Sequence, residues 1–404
     1  MPRGAPVDSI GGPVLRSVPS AHESLAHLPI APAWWSAQRF PWALAIALLL
    51  VASVEVWLHL SGWPKRVPWS SGQDEYYVVA AELDRHGAAE VAIIGSSRTR
   101  ESIHMPALRK EVRKITGREV WIANYAESGA RAYDFAAHVR RLLRDKHPPK
   151  VIVIGLSERD LGDDGSKFDQ APQFWNLSDW KREEQRRGFR AVADDLPTVL
   201  RNYIGRVYWT LRYRDVIRIR LRQLFLGQKD EPMQIQGDLT SWQRYNPDRN
   251  LRNRKAPEAV VKKYARSLAR GRYPNRDLAT ALDELAAECK AANVRLIFYE
   301  IPVPQVLRGY VDPDVYTRFH KEVQRVCSEN GARFIKAGGL HIKYTDSDFR
   351  EPSHMNAGGA RRLSTALGKR VLGPELLNLP KPKSSTTGPT SKPSNATARH
   401  KPKR

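Results

Sequence analysis

The sequence is short of cysteine and lacks the common nucleotide-binding and nucleic-acid-binding motifs. Two cysteines in 404 residues are too few for a disulfide framework or a thiolate metal cluster. Cys289 and Cys327 lie in predicted helices, where two buried thiols are favoured over a single disulfide bridge. The chain contains no Walker loop, zinc-finger spacing or ribonucleoprotein aromatic motif, which argues against the usual nucleic-acid-binding folds.

Acidic residues are also scarce relative to basic ones. Lysine and arginine total 66 against 43 aspartates and glutamates, which gives a net charge of +23. Such a charge suits nucleic acid, an anionic membrane surface or an anionic glycan. A nucleic-acid-associated protein therefore stands as a hypothesis that rests on charge alone. Because the motifs for it are missing, we expect no nucleic-acid partner.

Both ends of the chain are low in apolar periodicity, and one long apolar run follows the first of them. Residues 1–39 and the basic tail 376–404 are predicted to be disordered. Residues 41–63 carry no charge from Trp42 to Val54 and are flanked by tryptophans, as in a transmembrane helix. The alternatives are a buried helix of a soluble protein and a signal peptide that is cleaved near residues 52–53.

Two regions, 73–162 and 275–372, alternate short apolar runs with helical segments. This pattern predicts a parallel sheet with crossover helices, and hence a three-layer α/β/α domain over residues 73–372. The predicted strands are 91–95, 119–125, 150–157, 294–304 and 332–338. The predicted helices are 73–87, 106–117, 132–146, 275–293, 312–331 and 356–372.

Residues 163–272 interrupt this alternation as a basic, mainly helical insertion. Residues 181–222 contain twelve lysines and arginines against five acidic residues, interleaved with aromatic and aliphatic side chains. The insertion can form a helical cap over the site, or lie on anionic lipid headgroups with its cations extended to the surface. The cap is the favoured interpretation.

Three loops follow the ends of the first three predicted strands, where parallel sheets place their sites. In the first, Gly95 permits a tight turn and Ser97 can present its hydroxyl at the sheet edge, although serine is also common at helix N-termini. Gly129 in the second loop and Gly155 with Ser157 in the third can supply oxyanion donors, and each glycine can equally be a simple turn residue. Glu158 and Asp160 are interpreted as capping and surface charges.

A fourth segment, residues 344–364, places an acid three positions before a histidine. In Glu351-Pro-Ser-His354 the imidazole can accept the proton of a serine nucleophile while a carboxylate fixes its tautomer. Asp348 is an alternative for that carboxylate, and Asp346 a weaker one. The chain has eleven histidines, so His354 taken alone is most simply a surface histidine. It becomes a candidate catalytic base because its segment follows the three strand-end loops in order.

Together these segments resemble the SGNH (GDSL-like) hydrolase superfamily, whose fold is flavodoxin-like. Gly95-Ser96-Ser97 resembles the nucleophile block, 124–129 the second, 155–157 the third, and 351–354 the last. The pattern is especially similar to membrane-anchored envelope proteins related to the D-alanylation and alginate O-acetylation proteins. The resemblance covers residues 73–162 and 275–372 and leaves out the insertion and both tails.

The resemblance implies a serine esterase or O-acyltransferase with Ser97 as nucleophile, His354 as base and Glu351 as its acid. It implies an oxyanion hole that includes Gly129 and Ser157. Ser157 stands where the family has asparagine, and Glu351 where it has aspartate. These two departures leave open a catalytically inactive scaffold or glycan-binding membrane protein that uses the same fold.

The resemblance further implies an acylated glycan or small ester as substrate, no cofactor and no metal. It places the domain outside the cytoplasm of a bacterial envelope, with a polytopic membrane protein as a possible source of acyl groups. Arg39 before the apolar run and Lys65 and Arg66 after it nearly balance, so the charges themselves do not fix the orientation.

Overall fold

The structure is a computed structural model that describes residues 40–61, 86–162, 174–205, 207–212, 273–351 and 353–379. Isolated positions at 79, 83, 171, 217, 221, 224, 225, 261, 262 and 265 are described as well, and for a few residues, Glu351 among them, only the backbone is. The predicted disordered segment 1–39 lies outside these ranges, as do most of the predicted helix 73–87 and much of the insertion. Of the predicted disordered tail 376–404, residues 380–404 lie outside them, while 376–379 are described, with Leu376 buried at the end of a helix. The chain divides into two units at Ser61, and each is considered by itself.

The first unit contains one described helix, α1, which spans Phe40–Ser61. Residues Trp42–Ser61 have a mean hydropathy of 2.2, so the helix is long and apolar enough to cross a membrane. Its one acidic residue, Glu55, lies 3.3 Å from Nδ1 of His59 one turn later. That contact reduces the cost of placing a carboxylate in an apolar helix.

The second unit is an α/β domain built on a five-stranded parallel sheet. The strands are β1 (Val91–Ile94), β2 (Ile122–Asn124), β3 (Val151–Leu156), β4 (Arg295–Glu300) and β5 (Arg333–Ile335). Their order across the sheet is β2-β1-β3-β4-β5, and every pair is parallel. The central strands β1 and β3 are buried along their whole length, which is why they read as continuous apolar runs in the sequence.

Helices cover both faces of this sheet, and alternate strand residues enter two different cores. Ala92 and Ile94 belong to one core, and Val91 and Ile93 to the other, as the two-residue period of a strand requires. The helices are α2 (Ser97–Ser102), α3 (Met105–Thr116), α4 (Ala132–Leu143), α5 (Leu177–Arg187), α6 (Phe189–Val192), α7 (Leu196–Ile204), α8 (Trp209–Arg212), α9 (Arg276–Ala291), α10 (Gln305–Arg308), α11 (Pro313–Asn330), α12 (Ala357–Leu367) and α13 (Gly373–Leu377).

The described part of the insertion is helical, as predicted. Its first helix, α5, packs against α4 and α9 through ion pairs. Asp179 lies 2.6 Å from Arg144 at the end of α4, Glu183 lies 3.7 Å from Arg140 on α4, and Arg182 pairs with Glu288 on α9. The sequence also predicts a polar loop over residues 237–257 at the end of the insertion, and this stretch lies outside the described residues. Neither interpretation of the insertion, cap or membrane contact, is decided by these helices.

The structure adds one element that the sequence pattern does not predict. Strands β6 (Phe349–Glu351) and β7 (His354–Met355) form a short antiparallel hairpin directly before α12. The sequence gives no sign of it because the strands are three and two residues long and share one apolar face. The thiols of Cys289 and Cys327 are free and buried, as favoured, and burial raises the pKa of each to about 12.

Candidate active site

Ser97 is the first residue of α2, immediately after the turn that leaves β1. Gly95 makes this turn with φ +154°, a conformation that favours glycine. A Cβ at Gly95 would lie 2.0 Å from Oγ1 of Thr99, so the close approach also requires a residue without a side chain. Ser96 follows in extended conformation and starts the helix. The turn therefore sets Ser97 at the carboxyl end of the sheet.

Two side chains fix α2 to the strands below it. Thr99 donates its hydroxyl proton to the carbonyl of Gly155 on β3 at 3.1 Å, and Ser102 Oγ lies 3.1 Å from the Tyr299 hydroxyl on β4. A Cβ at Gly155 would lie 2.3 Å from Thr99 Oγ1, so glycine is needed here for packing. The helix that carries Ser97 is held rigidly by these contacts.

His354 reaches the same place from the opposite end of the chain, on the β6–β7 hairpin. Met355, the next residue, is buried in the core that α3 and α12 share with the sheet. Asn356 caps α12 by accepting a hydrogen bond from the amide of Gly359 at 3.0 Å. A Cβ at Gly359 would lie 2.3 Å from the carbonyl oxygen of Asp348, so this glycine lets α12 pack closely on the loop before the hairpin.

The structure brings Ser97 and His354 into hydrogen-bond contact, with Oγ 2.9 Å from Nε2. Both side chains are half-buried, which leaves the hydroxyl accessible to a substrate. The other imidazole nitrogen, Nδ1, lies 2.9 Å from Oγ of Ser353. A serine hydroxyl and an imidazole at this distance can pass a proton between them, which is the first requirement of a serine nucleophile.

The three candidate acids are placed differently. Glu351 is paired with His354 in the hairpin, and its side chain lies outside what the structure describes. The carboxylate of Asp348 instead receives Arg362 Nη1, at 2.7 and 2.9 Å, and the amide of Thr345, at 2.9 Å. Asp346 accepts the backbone amide of Gln305 at 2.7 Å. The oxygens of Asp348, the alternative acid, thus serve a helix cap and an ion pair, which speaks against that role.

The two predicted oxyanion donors also differ. Gly129 lies in a turn with φ +80°, and Arg100 of α2 ties this turn down by donating to Ser128 Oγ at 2.8 Å. Ser157, in contrast, is fully buried and donates both its amide and its hydroxyl to Asp160 Oδ2, at 2.7 and 3.0 Å. Its one hydroxyl proton is thus committed to a helix cap, and the predicted side-chain contribution of Ser157 to an oxyanion hole is not supported.

Behind the serine lies a buried charged cluster that the sequence interpretation misplaced. Arg98, 1% exposed, donates to Oε1 of Glu158 at 3.2 Å, and Asp160 is fully buried beside them. Asp160 caps the turn at 158–161, as predicted, but Glu158 and Asp160 are not surface charges. The sequence signal for this cluster is Arg98, which directly follows Ser97 in a helix that packs on the sheet. An arginine buried there needs an acidic partner.

Burial raises the pKa of Asp160 from 3.8 to about 6, against the opposing effects of Arg98 and the Ser157 amide. The folded protein therefore binds this proton more tightly than the unfolded chain does. The resulting stability is present below about pH 4 and is lost as the pH rises through about 6. We expect the thermal midpoint of the wild type, minus that of Asp160→Asn, to increase as the pH falls from about 7 to about 4.5. A difference that stays constant with pH would contradict this burial.

Two comparisons with known sequences find no relative of this chain. A scan against models of protein families finds no match to the chain, and a search of curated protein sequences finds no significant match either. The functional assignment therefore depends on the arrangement of the residues themselves.

Proposed function

We propose that the chain is a membrane-anchored serine esterase or O-acyltransferase of the SGNH type. The observation that carries the proposal is the 2.9 Å contact between Ser97 Oγ and His354 Nε2, two residues that lie 257 positions apart in the sequence. In this mechanism the imidazole takes the hydroxyl proton while Oγ attacks the ester carbonyl. The imidazolium then protonates the leaving alcohol, and water or an acceptor hydroxyl releases the acyl group from Ser97.

The topology supports the SGNH assignment. The strand order β2-β1-β3-β4-β5 is that of flavodoxin-like folds, in which ligands bind at the carboxyl ends of the strands. Ser97 follows the end of β1, and His354 enters from the last loop before the final helices. This order along the chain, serine after the first strand and histidine near the end, is the order that the four sequence blocks share with that superfamily.

The remaining roles follow from the neighbouring groups. Glu351 is assigned to orient His354, because it is paired with the histidine across the hairpin and Asp348 is engaged with Arg362. The amides of Ser97 and Gly129 are assigned to the oxyanion, the second on a turn that Arg100 holds against α2. Since Ser157 is committed to Asp160, we expect an oxyanion hole of backbone amides.

The substrate and location are inferred from charge, from α1 and from the resemblance to envelope proteins. An apolar helix of bilayer length, Trp42–Ser61, is assigned as a membrane anchor. The resemblance assigns the α/β domain to the outside of the cytoplasm. A net charge of +23 suits an anionic polymer at that surface. An acylated envelope glycan fits these properties, and transfer rather than hydrolysis would require an acyl donor from a membrane partner.

A fluorophosphonate probe tests the nucleophile directly, because it forms a covalent bond with an activated serine and not with an ordinary hydroxyl. We expect the full-length protein in detergent to be labelled on Ser97, as located by mass spectrometry of the modified peptide. Ser96→Ala should be labelled as the wild type is, since the buried Ser96 Oγ has no hydrogen-bond partner among the described residues. Folded protein that takes up no probe would favour the noncatalytic, glycan-binding alternative.

A further inference from the structure

A second cleft, of about 1090 Å³, lies beyond the carboxyl ends of β4 and β5. None of the residues assigned above to the Ser97 reaction lines it. Its charged and aromatic lining includes Glu300, Arg308, Tyr316, His320, Phe334 and Lys336. The cleft thus combines charged groups with two aromatic rings at the same edge of the sheet as the candidate active site.

A glutamate and a histidine are fixed against one another in this cleft. Glu300 is 8% exposed; its Oε1 lies 3.0 Å from Nε2 of His320, and its Oε2 accepts the amide of Ala337 at 2.9 Å. The His320 ring is flanked by Phe319 and Phe334, with centroids 5.5 and 6.0 Å away. Within the described residues Nδ1 of His320 makes no hydrogen bond, so the ring keeps one polar atom for a ligand.

Two cations in the cleft have no carboxylate partner in the described part of the chain. The guanidinium of Arg308 lies 5.8 Å from the centroid of the Tyr316 ring, and Lys336 is exposed directly after β5. Other arginines of the domain, such as Arg140 and Arg362, do form ion pairs with acidic residues. Because Glu300 is already bound by His320 and a backbone amide, the cleft has an excess of positive charge.

Tyr316 connects this cleft to the candidate active site. Its hydroxyl is buried and has no hydrogen-bond partner among the described groups. Burial, and then the nearby charge of Glu158, raise the pKa of this phenol. The helix that carries Tyr316, α11, also packs on the turn at 158–161, which holds Glu158 and Asp160 of the charged cluster. The segment after β4 also meets the loop before His354, since Gln305 donates its amide to Asp346 at 2.7 Å.

We propose that this cleft binds an acidic sugar, as the part of the glycan that selects the substrate for Ser97; this rests on the function proposed above. A sugar carboxylate would pair with Arg308 and Lys336, and ring hydroxyls would bond to His320 and Glu300. The face of Tyr316 offers an apolar surface for the ring. A neutral sugar would leave both cations without a partner, so the cleft discriminates by charge.

Binding of a galacturonic acid trimer to the full-length Ser97→Ala protein in detergent tests the proposal, because turnover then plays no part. We expect calorimetry to detect binding of this trimer and at least tenfold weaker binding of the neutral galactose trimer. Arg308→Gln should weaken binding of the acidic trimer about tenfold or more, because a charge-assisted contact is lost. Lys369→Gln, which removes an exposed cation outside the cleft, should leave it unchanged.

Equal binding of the acidic and neutral trimers would overturn the proposal, as would no binding of the acidic trimer. An equal loss in Arg308→Gln and Lys369→Gln would show attraction by overall charge and overturn it as well. The fluorophosphonate probe tests the proposed chemistry independently of sugar binding. A protein that binds the acidic trimer but resists the fluorophosphonate probe has the cleft without the esterase, and a labelled protein that does not bind the trimer has the esterase without the cleft.

Discussion

Replacing Ser97 with alanine is expected to lower the hydrolysis of an aryl acetate by about a thousandfold or more, because the attacking oxygen is removed. The rate that remains should come from binding and the oxyanion donors alone. Initial rates of p-nitrophenyl acetate hydrolysis measure this for the full-length protein in detergent. Ser96→Ala is the matched control: the same atoms are deleted one residue earlier, at a fully buried hydroxyl that has no hydrogen-bond partner among the described residues.

The partner of Ser97 sharpens this test. His354→Ala should reduce the rate by a factor similar to that of Ser97→Ala, and the double variant should be no slower than the slower single one. Residues that act as one catalytic unit give such non-additive losses, because removing either group disables both. Independent, multiplying losses would mean that the 2.9 Å contact between them is not part of the reaction.

The parallel sheet and the position of Ser97 at its edge were both accessible from the sequence, for a common physical reason. Strands that are buried on two faces must be apolar throughout, so β1 and β3 are visible as runs. Once the strands are placed, parallel pairing brings their carboxyl ends to one edge, and the loops that follow them must meet there. Ser97 could be placed at this edge by that reasoning. Its pairing with His354 is predicted from the acid-x-x-His turn and from the resemblance of the four segments to the SGNH superfamily.

The direction of individual side chains could not be predicted in the same way. Ser157 occupies a block that predicts an oxyanion donor, yet its hydroxyl is used to cap the turn that follows β3. Asp348 lies six residues and Glu351 three residues before His354, and spacing alone does not choose between them. The Asp348 carboxylate is held by Arg362 on α12 and by the amide of Thr345. The two cases differ in range. The Ser157 cap joins residues three positions apart, so the local pattern Ser-x-x-Asp competes with the family pattern at this loop. The contact between Asp348 and Arg362 joins a loop to the next helix and depends on how α12 packs.

Replacing Gly95 with alanine is expected to destabilise the domain by about 3 kcal/mol or more, the largest stability effect that we predict for a change of one methyl group. Two costs combine at this position. A φ of +154° is strained for any residue with a side chain, and the new Cβ would lie 2.0 Å from Oγ1 and 2.5 Å from Cβ of Thr99. Thr99 cannot move away freely, because its hydroxyl is bonded to Gly155 at 3.1 Å.

Gly117→Ala separates these two costs. Gly117 also has a positive φ, +68°, but a Cβ there would meet no atom within 4 Å. Its substitution should therefore cost only the backbone strain, about 1 kcal/mol. In thermal unfolding followed by tryptophan fluorescence we expect a fall of about 2 °C for Gly117→Ala and of about 6 °C or more for Gly95→Ala. Equal shifts would show that Thr99 does not press on the turn, and that α2 is held less tightly against the sheet than its contacts indicate. Because any movement of Thr99 displaces the helix that begins at Ser97, Gly95→Ala should also lose esterase activity at temperatures where it remains folded, while Gly117→Ala keeps it.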